Sequence, residues 1–362
     1  MTATEPTDPG YLTRTDRWLA LDLDDWTRRV LRRHFDPELG SPYWLERAAH
    51  LDFDPLDITR YAELSAFGPF PLTQLRELDP ADLVPLAVPR PLAGQVWETG
   101  GTTGAPCRVF YTEPMLAHNI DWRCRAMAVG GFEPGRSWLH AGPTGPHLIG
   151  TTTLALARDF AATVYGIDMD PRWVKRLVRA GDLKGAQAYT DHLVEQIADV
   201  LGKREVDHLS TTPALFQVLH RRHPDLVRRL RGVRLGGTQV TPDMYREFSA
   251  AVDGRPLGLT YGNTLGSGMG LPPAAGGDLL PYVPPFPQVT YAVVDREDWT
   301  RSVEYGQFGR VRLTVLHEDL FLPNVLERDR AVRYPTGDDW PCDGVANVQP
   351  LQITQASPEG LY

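Results

Sequence analysis

The twelve residues from Trp97 to Arg108 read WETGGTTGAPCR, and positions 99 to 104 consist of three threonines and three glycines. Glycine lets successive backbone N–H groups turn toward one point, and threonine adds hydroxyl donors. The run therefore has the makings of an anion cradle. It is not the Gly-x4-Gly-Lys-Ser/Thr phosphate loop, because Gly104 is followed by Ala105. Read alone, the segment is equally a solvent-facing turn between two strands.

The elements around this run are those that would have to position it. QVWE leads into the glycines as a short strand and CRVFYT leaves them as another. Upstream, DDWTRRVLRRHF sets Trp26, Val30 and Leu31 at helical spacing with arginines opposite. Downstream, Thr212 followed by Pro213, and Thr241 followed by Pro242, are two helix starts with a capping hydroxyl and a proline at the first helical position. Between them VRLGG is a strand ending in a glycine pair, and after them PLGLTYGNT is a strand and loop. Such alternation predicts an α/β fold with a mostly parallel sheet. After residue 280 the helical pattern stops, and PQVTYAVVD and GRVRLTVLHED read as antiparallel strands. The expected organisation is a mainly helical region 1–90, an α/β core 91–280, an antiparallel β subdomain 281–350 and a tail 351–362. No internal repeat stands out.

Composition narrows the function classes. The chain has 362 residues, 42% hydrophobic and 23% charged, enough for a large buried core. No run of about 18 apolar residues predicts a membrane span. MTATEPTDPG has no apolar signal core, so a cytoplasmic location is the default expectation. The cysteines Cys107, Cys124 and Cys342 fit neither a disulfide framework nor a zinc spacing. A net charge of -9 argues against a nucleic-acid partner. Lys175, Lys184 and Lys203 are the only lysines, so chemistry that needs a lysine has few candidates.

Four stretches in order, TGGTTGAP (99–106), LGGT (235–238), TYGNT (260–264) and YPTGDD (334–339), resemble the motif series of the adenylate-forming enzyme superfamily. Within it the phenylacetate–CoA ligase type is the nearest match. FPLTQLREL (70–78) and LSTTPALFQVL (209–219) also resemble segments of that group, so the resemblance covers about residues 65 to 345. It implies the large domain of such enzymes, built of α/β subdomains and a small antiparallel one. It also implies ATP as substrate, with magnesium, and the reaction of a carboxylate with ATP to give acyl-AMP and pyrophosphate. Thr99, Thr102 and Thr103, with the amides of Gly100, Gly101 and Gly104, would hold the phosphates. Gly236, Gly237 and Thr238 would line the nucleotide and acyl pocket. Tyr261 would stack on adenine, Gly262 and Asn263 would flank it, and Thr264 would lie near the α-phosphate. Asp338 would accept the ribose hydroxyls, a carboxylate suiting paired donors. Without the resemblance, Tyr261 is equally a half-buried strand tyrosine and Asp338 a turn residue.

The chain also departs from the pattern. The loop lysine is Ala105, the glutamate after the loop threonine is Leu265, and the Gly-Gly-Glu glutamate is Thr238. Only 24 residues follow Asp338, so the C-terminal lid domain with its lysine and CoA tunnel is expected to be absent. Positive charge would then come from Arg108, from Arg333 or from a metal. CoA transfer is not expected, and the acyl group would pass to a hydroxyl or amine of a second small molecule. Among members without a lid, the chain resembles the aryl-acid AMP ligases of benzoxazole antibiotic pathways, which activate 3-hydroxyanthranilate-type acids. An aromatic carboxylic acid would lie near His147, Gly150, Asn263 and Gly266. His140, Asp168 and Asp170 are weaker candidates, and Asp170 also reads as the cap of the helix after GIDMDP. Two other readings stay open: a non-catalytic nucleotide-binding relic, and an adenylating subunit completed by a separate lid chain. A homodimer is carried as a candidate assembly, with no residue that specifies it.

Overall fold

A computed structural model describes residues 10–99 and 106–351. The chain begins with three helices, α1 (Tyr11–Leu19), α2 (Leu23–His34) and α3 (Pro42–Ala48), followed by short 3-10 turns. The start of α2 is fixed by Asp22, whose carboxylate accepts the Asp25 amide at 2.8 Å. Its first turn carries Asp24 and Asp25 and its last carries Arg32, Arg33 and His34, as the helix dipole favours. The buried face is Trp26, Val30, Leu31 and His34.

A hairpin follows, β1 (Gly94–Glu98) and β2 (Arg108–Thr112), paired antiparallel with Glu98 opposite Arg108. Helix α4 (Glu113–Val129) leads to β3 (Ser137–Gly142), α5 (Leu148–Asp159), β4 (Thr163–Asp168), α6 (Pro171–Arg179), α7 (Leu183–Lys203) and β5 (His208–Thr211). Then come α8 (Pro213–Arg222), α9 (Pro224–Arg229), β6 (Gly232–Leu235), α10 (Pro242–Ala251) and β7 (Leu257–Gly262). The expected caps are present. Thr212 accepts the Leu215 amide, Thr241 the Met244 amide and Asp170 the Arg172 amide, each starting a helix with proline in its first turn.

Beyond β7 the chain is all strand apart from 3-10 turns: β8 (Ser267–Gly270), β9 (Pro281–Val283), β10 (Val289–Val294), β11 (Phe308–His317), β12 (Leu320–Tyr334) and β13 (Gly344–Pro350). These join the earlier strands in one eleven-stranded sheet of order β10-β11-β12-β13-β9-β8-β7-β6-β5-β3-β4. Strands β4, β3, β5, β6 and β7 are parallel, and the remaining pairings are antiparallel. The change of sense falls at β7, whose outgoing loop 262–266 is thus built into the centre of the sheet.

The N-terminal helices lie on the β11–β12 hairpin. The Trp26 indole N–H donates to the Leu316 carbonyl at 2.7 Å, and that of Trp44 to the Phe321 carbonyl at 3.0 Å. Both bonds satisfy a buried indole that would otherwise cost about 1–3 kcal/mol. No helix among the described residues is long and apolar enough to cross a membrane.

Candidate active site

Glu98 closes β1 at the mouth of the glycine–threonine loop, and it ties three loops together. Its amide donates to the Pro146 carbonyl at 2.9 Å, which brings in the segment between β3 and α5. Its carbonyl accepts the Thr264 hydroxyl at 3.0 Å, which brings in the loop between β7 and β8. Its carboxylate takes Arg108 at 3.0 Å and Arg172 of α6 at 3.3 Å. Thr264 is buried, and its own carbonyl accepts the Tyr111 hydroxyl at 2.7 Å. Thr99 stands at the neck of the hairpin. Its amide donates to the Cys107 carbonyl at 3.0 Å and its hydroxyl accepts the Cys107 amide at 2.9 Å. Gly100, Gly101, Thr102, Thr103, Gly104 and Ala105 lie outside the described residues.

The other glycines have steric reasons. A Cβ on Gly262 would stand 2.2 Å from the Gly266 carbonyl oxygen, and the residue has φ of +135°. A Cβ on Gly236 would stand 2.1 Å from the Thr260 hydroxyl oxygen. Glycine is required at 262, where backbone stands in the way at positive φ, whereas at 236 the Thr260 side chain would have to turn aside. Gly237 and Thr238 continue from Gly236 beyond the end of β6. Gly150 lies in the first turn of α5 against Thr144, and His147 precedes that helix, half-buried, with an unpartnered Nε2. Burial and the nearby Arg172 lower the His147 pKa. Asp168 accepts the Thr144 amide at 3.2 Å and fixes the same segment. Gly266 is buried against Val289 and Leu313.

Tyr261 and Asn263 meet two carboxylates that the sequence did not single out. The Tyr261 hydroxyl donates to Asp329 at 3.0 Å, and the Asn263 side-chain amide donates to Glu327 at 2.7 Å. The Asn263 side-chain oxygen accepts the Leu265 amide at 2.8 Å, which shapes the loop. The Tyr261 ring lies between Tyr282 and Tyr291, at 5.9 and 5.8 Å. Burial raises the Glu327 pKa to about 7, helped by the Asp329 charge and opposed by the Asn263 bond. Burial raises Asp329 too, against the Tyr261 bond. The available signal was Glu and Asp two apart in a strand pattern, which places both on one face.

Asp338 is exposed in the turn after β12, past the final Tyr334–Gly344 pair. Tyr334 lies five positions beyond Asp329, about 17 Å along the strand at about 3.3 Å per residue. Arg108 is present at the mouth, engaged by Glu98. Leu265 is 2% exposed and turned into the core. No cluster of three or more His, Cys, Asp or Glu suited to a metal occurs among the described residues.

No family model and no curated protein sequence matches this chain. Its likeness is to solved structures. 2-Hydroxyisobutyryl-CoA ligase in complex with 2-HIB-AMP and CoA, in the thioesterification state, is similar with a TM-score of 0.68 at 16% identity. That match covers 99% of this chain and 75% of the ligase. The open conformation of the same ligase gives 0.65 at 16% identity, covering 91% and 68%. Its postadenylation state with 2-HIB-AMP gives 0.65 at 16%, covering 96% and 70%. At such identity the likeness is one of fold, shared with 2-hydroxyisobutyryl-CoA ligase over most of this chain.

Proposed function

We propose that this chain activates a carboxylic acid with ATP. The carboxylate oxygen attacks the α-phosphorus, the bond to the β-phosphate bridging oxygen breaks, and pyrophosphate leaves, giving an acyl adenylate. The observation that carries this reading is the Glu98 junction, which joins the Gly-Thr hairpin, the 143–147 segment and the Thr264 loop through the N–H and C=O of one residue and one hydroxyl. In an α/β sheet this is the region beyond the C-terminal strand ends, where ligands bind. Catalysis there is positioning and charge stabilisation. Thr99, Thr102 and Thr103, with Gly100, Gly101 and Gly104, hold phosphate oxygens, and Arg108 and Arg172 supply nearby positive charge.

Gly236, Gly237, Thr238 and Gly262 line the nucleotide side. Asp329, bonded to Tyr261, is the carboxylate beside the adenosine, and Asp338 is the rival that its motif nominates. Magnesium enters with the nucleotide phosphates, since one or two carboxylates plus phosphate and water suffice for that ion. The acid is aromatic, of the 3-hydroxyanthranilate type, near His147, Gly150, Asn263 and Gly266. The acyl group passes to a hydroxyl or amine, whose proton leaves as AMP departs.

Buried Leu265, at the position where the motif series has glutamate, favours one second reading, a protein that binds nucleotide without turnover. Pyrophosphate release by the purified chain, with ATP and a panel of amino- and hydroxybenzoates, separates the two. Release supports activation. Nucleotide binding without release across the panel supports the second reading. Adding CoA to the same assay identifies the acceptor class.

A further inference from the structure

Two arginines are buried on one face of the parallel strands without an acid to meet them. Arg234 on β6 is 4% exposed and Arg123 on α4 is 8% exposed. Arg123 donates to the Asn119 carbonyl oxygen at 2.7 Å and to the Ser267 hydroxyl at 3.3 Å, both neutral groups. Among the described residues the Arg234 side chain makes no hydrogen bond or ion pair, and neither arginine meets a carboxylate. Burial pulls Arg123 down to about 9, with Arg234 adding to it, and pulls Arg234 down to about 10. Both therefore remain charged at neutral pH. A buried, unpaired guanidinium is costly, and two facing each other more so.

Their surroundings point to the acyl side of the site. Arg234 lies two residues before Gly236, and Ser267 pairs with Gly262, so the arginines sit under the two glycine turns. Across the sheet His140, Ser210, Arg234 and Gly258 form one row. His140 is buried and both its ring nitrogens lack partners. Burial lowers its pKa to about 4, and Arg234 and Arg123 lower it further. A small, mostly apolar cavity of about 10 Å³, bounded by Trp138, Leu156, Phe160, Ser210 and Arg234, lies on the same face. The row thus holds positive charge, neutral donors and no anion.

We propose that Arg123 and Arg234 receive a second anionic oxygen group of the acid, so that the substrate carries one oxyanion to be activated and another to be recognised. This rests on the reading of the site as an acid-activating one and specifies which acids it selects. A second carboxylate brings the charge outright. A ring hydroxyl brings it only when ionised against the arginines.

The test uses the full chain without ATP. Thermal stabilisation is titrated with benzoate, 3-hydroxybenzoate and the three benzene dicarboxylates, with sodium sulfate as a free-anion control. At least one dicarboxylate, or 3-hydroxybenzoate, should bind about tenfold or more tighter than benzoate, as a charged hydrogen bond is worth. The preference should vanish in Arg234→Met, while Arg234→Lys keeps part of it. Equal binding of benzoate and all the others overturns the proposal without recourse to any variant. So does a preference that survives Arg234→Met and Arg123→Met, or sulfate matching the best acid. The arm that wins tells carboxylate from hydroxyl. If an acid binds in this way yet no panel member yields pyrophosphate, the receptor stands and the activation reading falls.

Discussion

The Glu327 carboxylate accepts the Asn263 side-chain amide at 2.7 Å, and this bond fastens the loop after β7 to the middle of β12. The acid is buried, and burial pushes its pKa to about 7. The folded state therefore prefers the protonated form, whereas the unfolded chain ionises near its ordinary value.

That preference sets a pH signature. Stability from Glu327 is fully present below pH 4.5 and is lost as pH rises toward about 7, a change of up to roughly 3 kcal/mol. Glu327→Gln removes the titration. Its melting temperature relative to the wild type should rise between pH 5 and 7 and then level off. A difference constant across that range overturns the assignment.

Asp329 and Asp338 can be separated by nucleotide affinity. Asp329→Ala should weaken ATP binding by about 1.5–3 kcal/mol, the worth of a charged hydrogen-bond partner. Asp338→Ala, in the exposed turn, should change it far less. Titration of both variants decides, and the reverse order returns the role to Asp338.

Thr264→Val tests the junction of loops. The Glu98 carbonyl loses its 3.0 Å donor, at a cost of about 1–3 kcal/mol if no water replaces it. Urea unfolding should show that loss. Pyrophosphate release should fall through kcat more than through KM, because the displaced parts position phosphate.

Gly262→Ala places a Cβ 2.2 Å from the Gly266 oxygen at φ of +135°. The loop has to open to accept it, so destabilisation should exceed the ordinary ~1 kcal/mol of a tolerated glycine change. Denaturant midpoints measure it, and a midpoint equal to that of the wild type would falsify the steric account.

The legible parts of this fold were local. Thr212 with Pro213, Thr241 with Pro242, and Asp170 cap the helices that their spacing predicts, because a cap is settled within four residues. The strands around 289–294 and 308–317 were equally plain from their runs of valine, threonine, tyrosine and leucine. What stayed hidden depends on partners far along the chain. Glu327 becomes a buried acid only when the loop at Asn263 closes on it, 64 residues away. Arg234 looked like one of many arginines until its row on the sheet was covered by α4 and α5. The motif at 334–339 drew attention to Asp338, while the carboxylate nearest Tyr261 sits in LERD, where no turn marks it.

The long reach of the Trp26–Leu316 bond has a consequence for how the protein is made. Its two residues are 290 positions apart, so at about 5–20 residues per second the indole waits about 15–60 s for its acceptor to be synthesised. Throughout that time the apolar face of α2 has no β11–β12 hairpin to cover it. Helix α2 leaves the ribosome well before its seat exists, and it needs shelter from aggregation in the interval.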